Sequence, residues 1–200
     1  MALPLTRLLN GLDEAGGCPP HRAGYTVSMI RKRFLFNTVL ALSLSVLAAQ
    51  PGQAETLLEK GAWQAIKELE GGDPVCVMSA EPYKDEGNYT RRGTILAMVS
   101  HRPHEKRIGE VGFQAGYTFQ KGSEASVTVD DSKTFQLFTQ GGHAWAYDAQ
   151  ADKELAAAMR AGNTMVVKGT SSRGTLTTDT YSLSGFTAAW RAINKACGVK

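Results

Sequence analysis

The densest group of side chains able to do chemistry is His101-Arg102-Pro103-His104 followed by Glu105, Lys106 and Arg107. The two imidazoles could hold a metal on one face of a helix, but the proline between them disfavours a helix and puts them at a strand end or turn. The group reads better as a charged surface. Arg91, Arg92, His101, Arg102, His104, Lys106 and Arg107 together make a possible binding surface for an anionic partner such as lipopolysaccharide or a sialylated surface, the plainer alternative being an ordinary charged rim.

Other constellations carry less. A serine hydrolase needs its nucleophile on a strained turn, and Ser184-Gly185 lacks the preceding glycine, while His143 and Asp148 would meet it only if the fold brought them there. Gly169-Thr170-Ser171-Ser172-Arg173-Gly174 is flanked by glycines but has no phosphate-binding lysine and opens no helix, so it reads as a hairpin. Trp63, Trp145, Tyr147, Phe186 and Trp190 are expected to build a core, and would form a sugar-stacking platform only where one lies exposed. The sequence therefore predicts no catalytic residues, no metal and no cofactor.

The elements that must position these groups are mostly strands. Apolar runs of strand length lie at Trp63–Leu69, Val75–Ala80, Gly93–Ser100, Ile108–Gln114, Ser126–Val129, Thr134–Thr139, His143–Tyr147, Met165–Ser171 and Thr175–Leu183, separated by Gly, Asp, Asn and Ser. Asp130-Asp131-Ser132-Lys133, Gln140-Gly141-Gly142 and Ser172-Arg173-Gly174 read as hairpin turns, so the sheet is expected to be antiparallel and the fold a mainly β sandwich or barrel. The run from Thr94 to Val99 suits a strand covered on both faces, whereas Ser126-Val127-Thr128-Val129 alternates like one with a wet face. Two helices interrupt the pattern. Asp152 can cap the first, which carries Leu155, Ala158 and Met159 and can end in a left-handed turn at Gly162. Thr187 can cap the second, with Phe186, Trp190, Ile193 and Cys197 near one face and Gly198 as its stop. Glu81–Arg92 has no regular pattern and reads as a solvated loop of the kind that often carries binding function.

Charge and leader patterning supply an address. Arg31-Lys32-Arg33, the apolar run Phe34–Ala49 and Gly52-Gln53-Ala54 form a signal peptide over residues 29–54, cut between Ala54 and Glu55; a single membrane anchor is the alternative, disfavoured by the short apolar run. Residues 1–28 then read as an over-extended start, or else as an unusually long leader. Residues 1–54 hold five basic and two acidic side chains, which leaves 17 of each sign in the single domain 55–200 and removes the electrostatic argument for nucleic acid. No transmembrane segment is expected once the leader is removed. Of three cysteines, Cys76 and Cys197 remain after trimming. An oxidising compartment favours a disulfide between them over two free thiols, and neither has a Cys or His at ligand spacing.

The order of features is familiar. Gly61-Ala62-Trp63 is followed by Val75-Cys76-Val77, Thr90-Arg91-Arg92-Gly93, Ala144-Trp145-Ala146, Met159-Arg160-Ala161-Gly162, and finally Tyr181-Ser182-Leu183-Ser184-Gly185-Phe186 leading to Ala196-Cys197. This resembles the invasion-associated locus B family of alphaproteobacterial envelope proteins across nearly all of residues 55–200. The resemblance implies an immunoglobulin-like β-sandwich, location in the periplasm or at the outer surface, and in some pathogens a part in host-cell entry; the residue pattern adds one short internal helix and a C-terminal helix, and envelope integrity is the other role expected. It implies no catalytic residues. The expected function is thus a non-enzymatic interaction module with an envelope or host-surface partner, engaged through Glu81–Arg107. A hydrolase with an unrecognised active site and a small-ligand-binding module are the rivals.

Overall fold

The computed structural model describes residues 54–200; the expected leader, apart from Ala54, and residues 1–28 lie outside the described residues. The chain forms β1 (Glu55–Lys60), β2 (Trp63–Glu70), β3 (Asp73–Ala80), β4 (Lys84–Gly87), β5 (Leu96–Arg102), β6 (Arg107–Gln114), β7 (Glu124–Val129), β8 (Lys133–Gln140), β9 (His143–Trp145), α1 (Ala149–Ala161), β10 (Thr164–Thr170), β11 (Leu176–Ser182) and α2 (Phe186–Cys197). All nine strands expected from the sequence are present. The two it missed are β1 and β4. Strand β4, Lys-Asp-Glu-Gly, is exposed along its whole length and joins the sheet by backbone pairing to β11, from Thr177 opposite Gly87 to Thr180 opposite Lys84. Glu81–Arg92 is therefore not simply a loop. Hydrophobic patterning could not find a strand that buries nothing, and a short charged strand suits a sheet edge because it discourages pairing with other chains.

The strands make one antiparallel sheet in the order β1-β2-β3-β5-β6-β9-β8-β7-β10-β11-β4. Only Glu81, Pro82 and Tyr83 separate β3 from β4, although β4 lies at the far edge of the sheet. Four residue steps reach at most about 14 Å, so the ribbon must curl until its far edge lies close to β3. Phe113 on β6 and Tyr181 on β11, five places apart in the order, meet with ring centroids 6.4 Å apart. Two facing layers thus arise from one continuous sheet. Between them lie Met78, Val99, Val111, Phe113, Leu137, Met165 and Tyr181, each no more than 2% exposed. Val127 and Val129 point into this core while Ser126 and Thr128 are half-buried, as their alternation predicts. Of the run from Thr94 to Val99 only Ala97 and Val99 are fully buried; Leu96 and Met98 occupy a half-covered outer face.

The two helices start differently from the sequence expectation. In α1 the cap is Asp148, whose Oδ1 accepts from the Ala151 N–H at 2.8 Å; Asp152 faces the sheet instead. Gly162 ends the helix with φ −90°, not in a left-handed turn, and a Cβ there would lie 2.4 Å from Val129 Cγ1. The glycine serves close packing. Helix α2 is capped by Gly185, in the left-handed region at φ 96°, where a Cβ would sit 1.8 Å from the Lys60 carbonyl oxygen. Only glycine meets both demands. Thr187 donates from Oγ1 to the Arg160 carbonyl and so ties α2 to the end of α1. Phe186, Ala189 and Ile193 are buried, and Gly198 ends the helix at φ 66° as expected. Cys76 on β3 and Cys197 on α2 form a disulfide with Cα atoms 6.1 Å apart and a separation of 121 positions in sequence. In the chain-entropy model such a loop contributes about 4–5 kcal/mol, and it pins the last helix to the early strands.

Candidate functional site

The structure divides the expected binding surface. Arg91 and Arg92 precede the first residue of β5, while His101–Arg107 lies at its far end, and seven residues of strand span about 20 Å. His101 is buried at 0% exposure and belongs to the interior beside α2. Its Nδ1 accepts from the Gly109 N–H at 2.9 Å, so the imidazole proton sits on Nε2 and is donated to Asn194 Oδ1 at 2.7 Å. Turning the Asn194 amide would gain bonds to Trp190 but set an amide N–H against that imidazole N–H. The Trp190 ring meets His101 edge-on, and burial lowers the imidazole pKa. The surrounding cations are largely neutralised: Arg102 by Glu70 at 3.0 Å, Arg107 by Glu110 at 2.7 Å and Glu105 at 2.9 Å, and His104 approaches Asp73 at 3.6 Å. Lys106 is exposed at the turn. This end is a balanced charged rim.

At the other end, Arg91 and Arg92 enter a cleft of about 510 Å³ with a third arginine, Arg173, from the β10–β11 hairpin. Arg92 forms the floor. Its guanidinium makes two parallel bonds to Asp179 at 2.5 and 2.6 Å, donates from Nε to the Ala115 carbonyl at 2.7 Å, and lies against the rings of Tyr89 and Tyr117 at 5.5 and 5.0 Å. Both charged side chains are nearly sealed, at 4% and 5% exposure. Burial lifts the Asp179 carboxyl pKa against the pull of Arg92. The pair clasps the entry to β5 onto β11 and is scaffold. Arg91 and Arg173, in contrast, are exposed and make no ion pair among the described residues. Hydroxyl groups of Thr90, Thr118, Ser172 and Thr175 accompany them, and no carboxylate lines the cleft. The hairpin holds its shape because Ser171 Oγ accepts from the backbone N–H groups of Arg173 and Thr175. Sequence reasoning missed Arg173, although the glycine-flanked hairpin that presents it was visible.

A second groove, of about 630 Å³, opens where β9 stops after three residues. Beyond that point β6 has no strand on this side, and Asp152 of α1 takes the strand's place: its Oδ1 accepts from the Val111 N–H at 2.8 Å. Burial pushes the Asp152 carboxyl pKa up to about 6, with the Glu110 charge adding to the rise. Glu110 spends one oxygen on Arg107 and has its buried Oε2 without a partner. The apolar lining is Ile108, Phe138, Trp145 and Tyr147, of which Ile108 is 42% and Tyr147 55% exposed. Trp145 lies over Gly112, where any Cβ would come within 2.3 Å of the indole. Phe138 and Tyr147 touch at 5.6 Å, and the Tyr147 hydroxyl donates to Glu124.

The hydrolase residues weighed in the sequence have other contacts: Asp148 caps α1, His143 stacks on Trp145, and the Ser184 carbonyl accepts from the Ala62 N–H. At the expected processing point, Ala54 and Glu55 are exposed, and Glu55 begins β1. No helix among the described residues is long and apolar enough to cross a membrane.

These features define a mainly β protein whose described residues are pinned by the Cys76–Cys197 disulfide and present, among their pockets, a pair of clefts of contrasting chemistry. Residues 63–194 match the family model described as Invasion associated locus B (IalB) protein, and the chain belongs to that family. The crystal structure of invasion associated protein b from Bartonella henselae is similar at 17% identity and a TM-score of 0.49, covering 70% of this chain and 95% of that one. No curated protein matches the chain.

Proposed function

We propose that the protein is exported and acts as a non-enzymatic interaction module of the cell envelope, engaging an anionic envelope or host-surface partner through the cleft of Arg91 and Arg173. Membership of an invasion-associated family and a disulfide between the two cysteines outside the leader support the address. The observation that carries the partner chemistry is the lining itself: two unpaired guanidinium groups over a third, with hydroxyl donors and no carboxylate. Guanidinium groups bind phosphate, sulfate and carboxylate oxygens through paired N–H donors, and a cleft of one charge sign concentrates its field on an incoming anion.

The test is binding of the protein to outer-membrane vesicles and to host cells, with and without Arg91→Glu and Arg173→Glu together. The double reversal is expected to weaken binding at least tenfold, and binding by the wild type is expected to fall as salt rises. Salt-insensitive binding, or binding untouched by the reversal, overturns the reading. Protease accessibility on intact cells against cells with an opened outer membrane distinguishes surface display from a periplasmic location.

A further inference from the structure

The groove beside α1 has no part in the anion reading, and its chemistry differs. Its apolar groups are flat and partly wet: Tyr147, Trp145 and Phe138, with Ile108 at the edge. Its polar groups are mainly acceptors: Glu110, Asp148, Asp152 and the amide of Gln140. Of its two cations, Arg107 is held by Glu105 and Glu110, which leaves the lining acidic on balance. Such a groove repels anions and asks for a ligand that brings many hydrogen-bond donors and a flat C–H face. A lipid chain or an apolar helix would leave the carboxylates unpaired as it desolvated them, which is costly. A quaternary ammonium would want rings arranged around one point. Here the rings tile a surface instead, since Phe138 packs on Tyr147 and Trp145 is laid across Gly112 by the glycine's missing side chain.

We infer that this groove is a binding site for neutral pyranose glycans, with Tyr147 and Trp145 as the stacking platform and Glu110, Asp152 and Gln140 as acceptors for sugar hydroxyls. The buried, unpartnered Oε2 of Glu110 supports this, because a carboxylate oxygen without a donor is a costly feature that a hydroxyl-bearing ligand on the groove floor relieves by drawing the side chain toward it. The volume of about 630 Å³ lies within the range of small-ligand sites, large enough for more than one sugar ring. The site is independent of the arginine cleft, and either can fail without the other.

The chain has three tryptophans, so each indole N–H gives its own signal in a nitrogen–proton correlation spectrum. Trp63 is an internal control, being 1% exposed with its Nε1–H donated to the Ser182 carbonyl. The protein is titrated to millimolar concentration with three neutral saccharides, chitohexaose, mannohexaose and cellohexaose. The expected result is a saturable shift of the Trp145 indole with Trp63 and Trp190 unmoved, and loss of at least tenfold in affinity on Tyr147→Ala. Mannohexaose as the best ligand points to a host-type glycan, and chitohexaose to a glycan built on N-acetylglucosamine like the backbone of an envelope glycan. No shift with any of the three saccharides, or a Trp145 shift produced by choline and not by sugars, overturns the inference.

Discussion

The two clefts are built from the same materials in opposite proportion. Around Arg91 and Arg173 the nearby carboxylates are already spent, Asp179 on the buried Arg92 and Asp85 on the Tyr89 hydroxyl, so the remaining cations face outward among hydroxyl groups. Beside α1 the arginine is spent on Glu105 and Glu110, and what faces outward is carboxylate and aromatic surface. The difference teaches that charge density along a chain is a poor guide to charge at a site. The run from His101 to Arg107 is the most charged stretch, yet it folds into a neutralised rim with its first histidine inside the core. Arg91 and Arg173 are far apart in sequence and meet only because the sheet curls β11 back against the start of β5.

The sharpest way to break the comparison is to attack the part of the arginine cleft assigned to scaffold. A buried, doubly hydrogen-bonded ion pair that loses one partner leaves an uncompensated charge, at a cost of about 3–5 kcal/mol. Arg92→Ala and Asp179→Ala are each expected to lower urea-unfolding stability by that amount. The double variant is expected to lose much less than the sum, because the second substitution removes the charge the first one stranded. Single losses below about 1 kcal/mol would make Arg92 a ligand group like its neighbours, and the cleft would have no fixed floor.

How much of this was legible depends on what each signal reports. Strands that bury one face announced themselves by alternation, as in Val127 and Val129, and the hairpin at Asp130-Asp131 was readable because both residues there adopt the positive φ its tight turn requires. Cys76 and Cys197 could be paired by elimination, since only two thiols follow the expected leader. Strand β4 was invisible because it buries no side chain. Asp152 was misassigned as a helix cap because a carboxylate near a helix start looks the same whether it serves its own helix or a neighbouring strand. His101 was misread because local polarity cannot show that β5 carries the imidazole under α2. The clefts themselves are products of register and curl, which no local pattern encodes.

A middle-sized test concerns the aromatic groove, where Asp152 binds its proton more tightly in the folded chain than in the unfolded one. Its carboxyl titrates near 6, against an ordinary value of 3.8. Its contribution to stability is therefore fully present below about pH 4 and is lost as pH rises through 6. Asp152→Asn keeps an oxygen for the Val111 N–H and removes the charge. The variant is expected to match the wild type at pH 3.5 and to be more stable at pH 7 by about 1 kcal/mol, less than the whole shift would give because the carboxyl is only half withdrawn from water. His101 runs the opposite way: burial lowers its pKa from 6.5, so its contribution is present above that value and is lost as pH falls. It is common to both proteins and cancels in the difference. Equal stability at pH 7 would mean that the groove does not strain its carboxylates.

The smallest effect belongs to the charged rim at the end of β5 that borders the aromatic groove. Arg102 and Arg107 make exposed pairs, each side chain at least a quarter or nearly a quarter open to water, at 24% and 49%. Exposed ion pairs of this kind contribute about 0.2–1 kcal/mol, since solvent screens the attraction and ordering the side chains offsets it. Arg102→Gln and Arg107→Gln are expected to change unfolding stability by no more than that and to leave binding to anionic vesicles unchanged, where reversal of Arg91 and Arg173 abolishes most of it. If the glutamine pair weakens vesicle binding as strongly, the anion surface is spread along the whole length of β5, and the distinction between a working cleft and a neutralised rim falls with it.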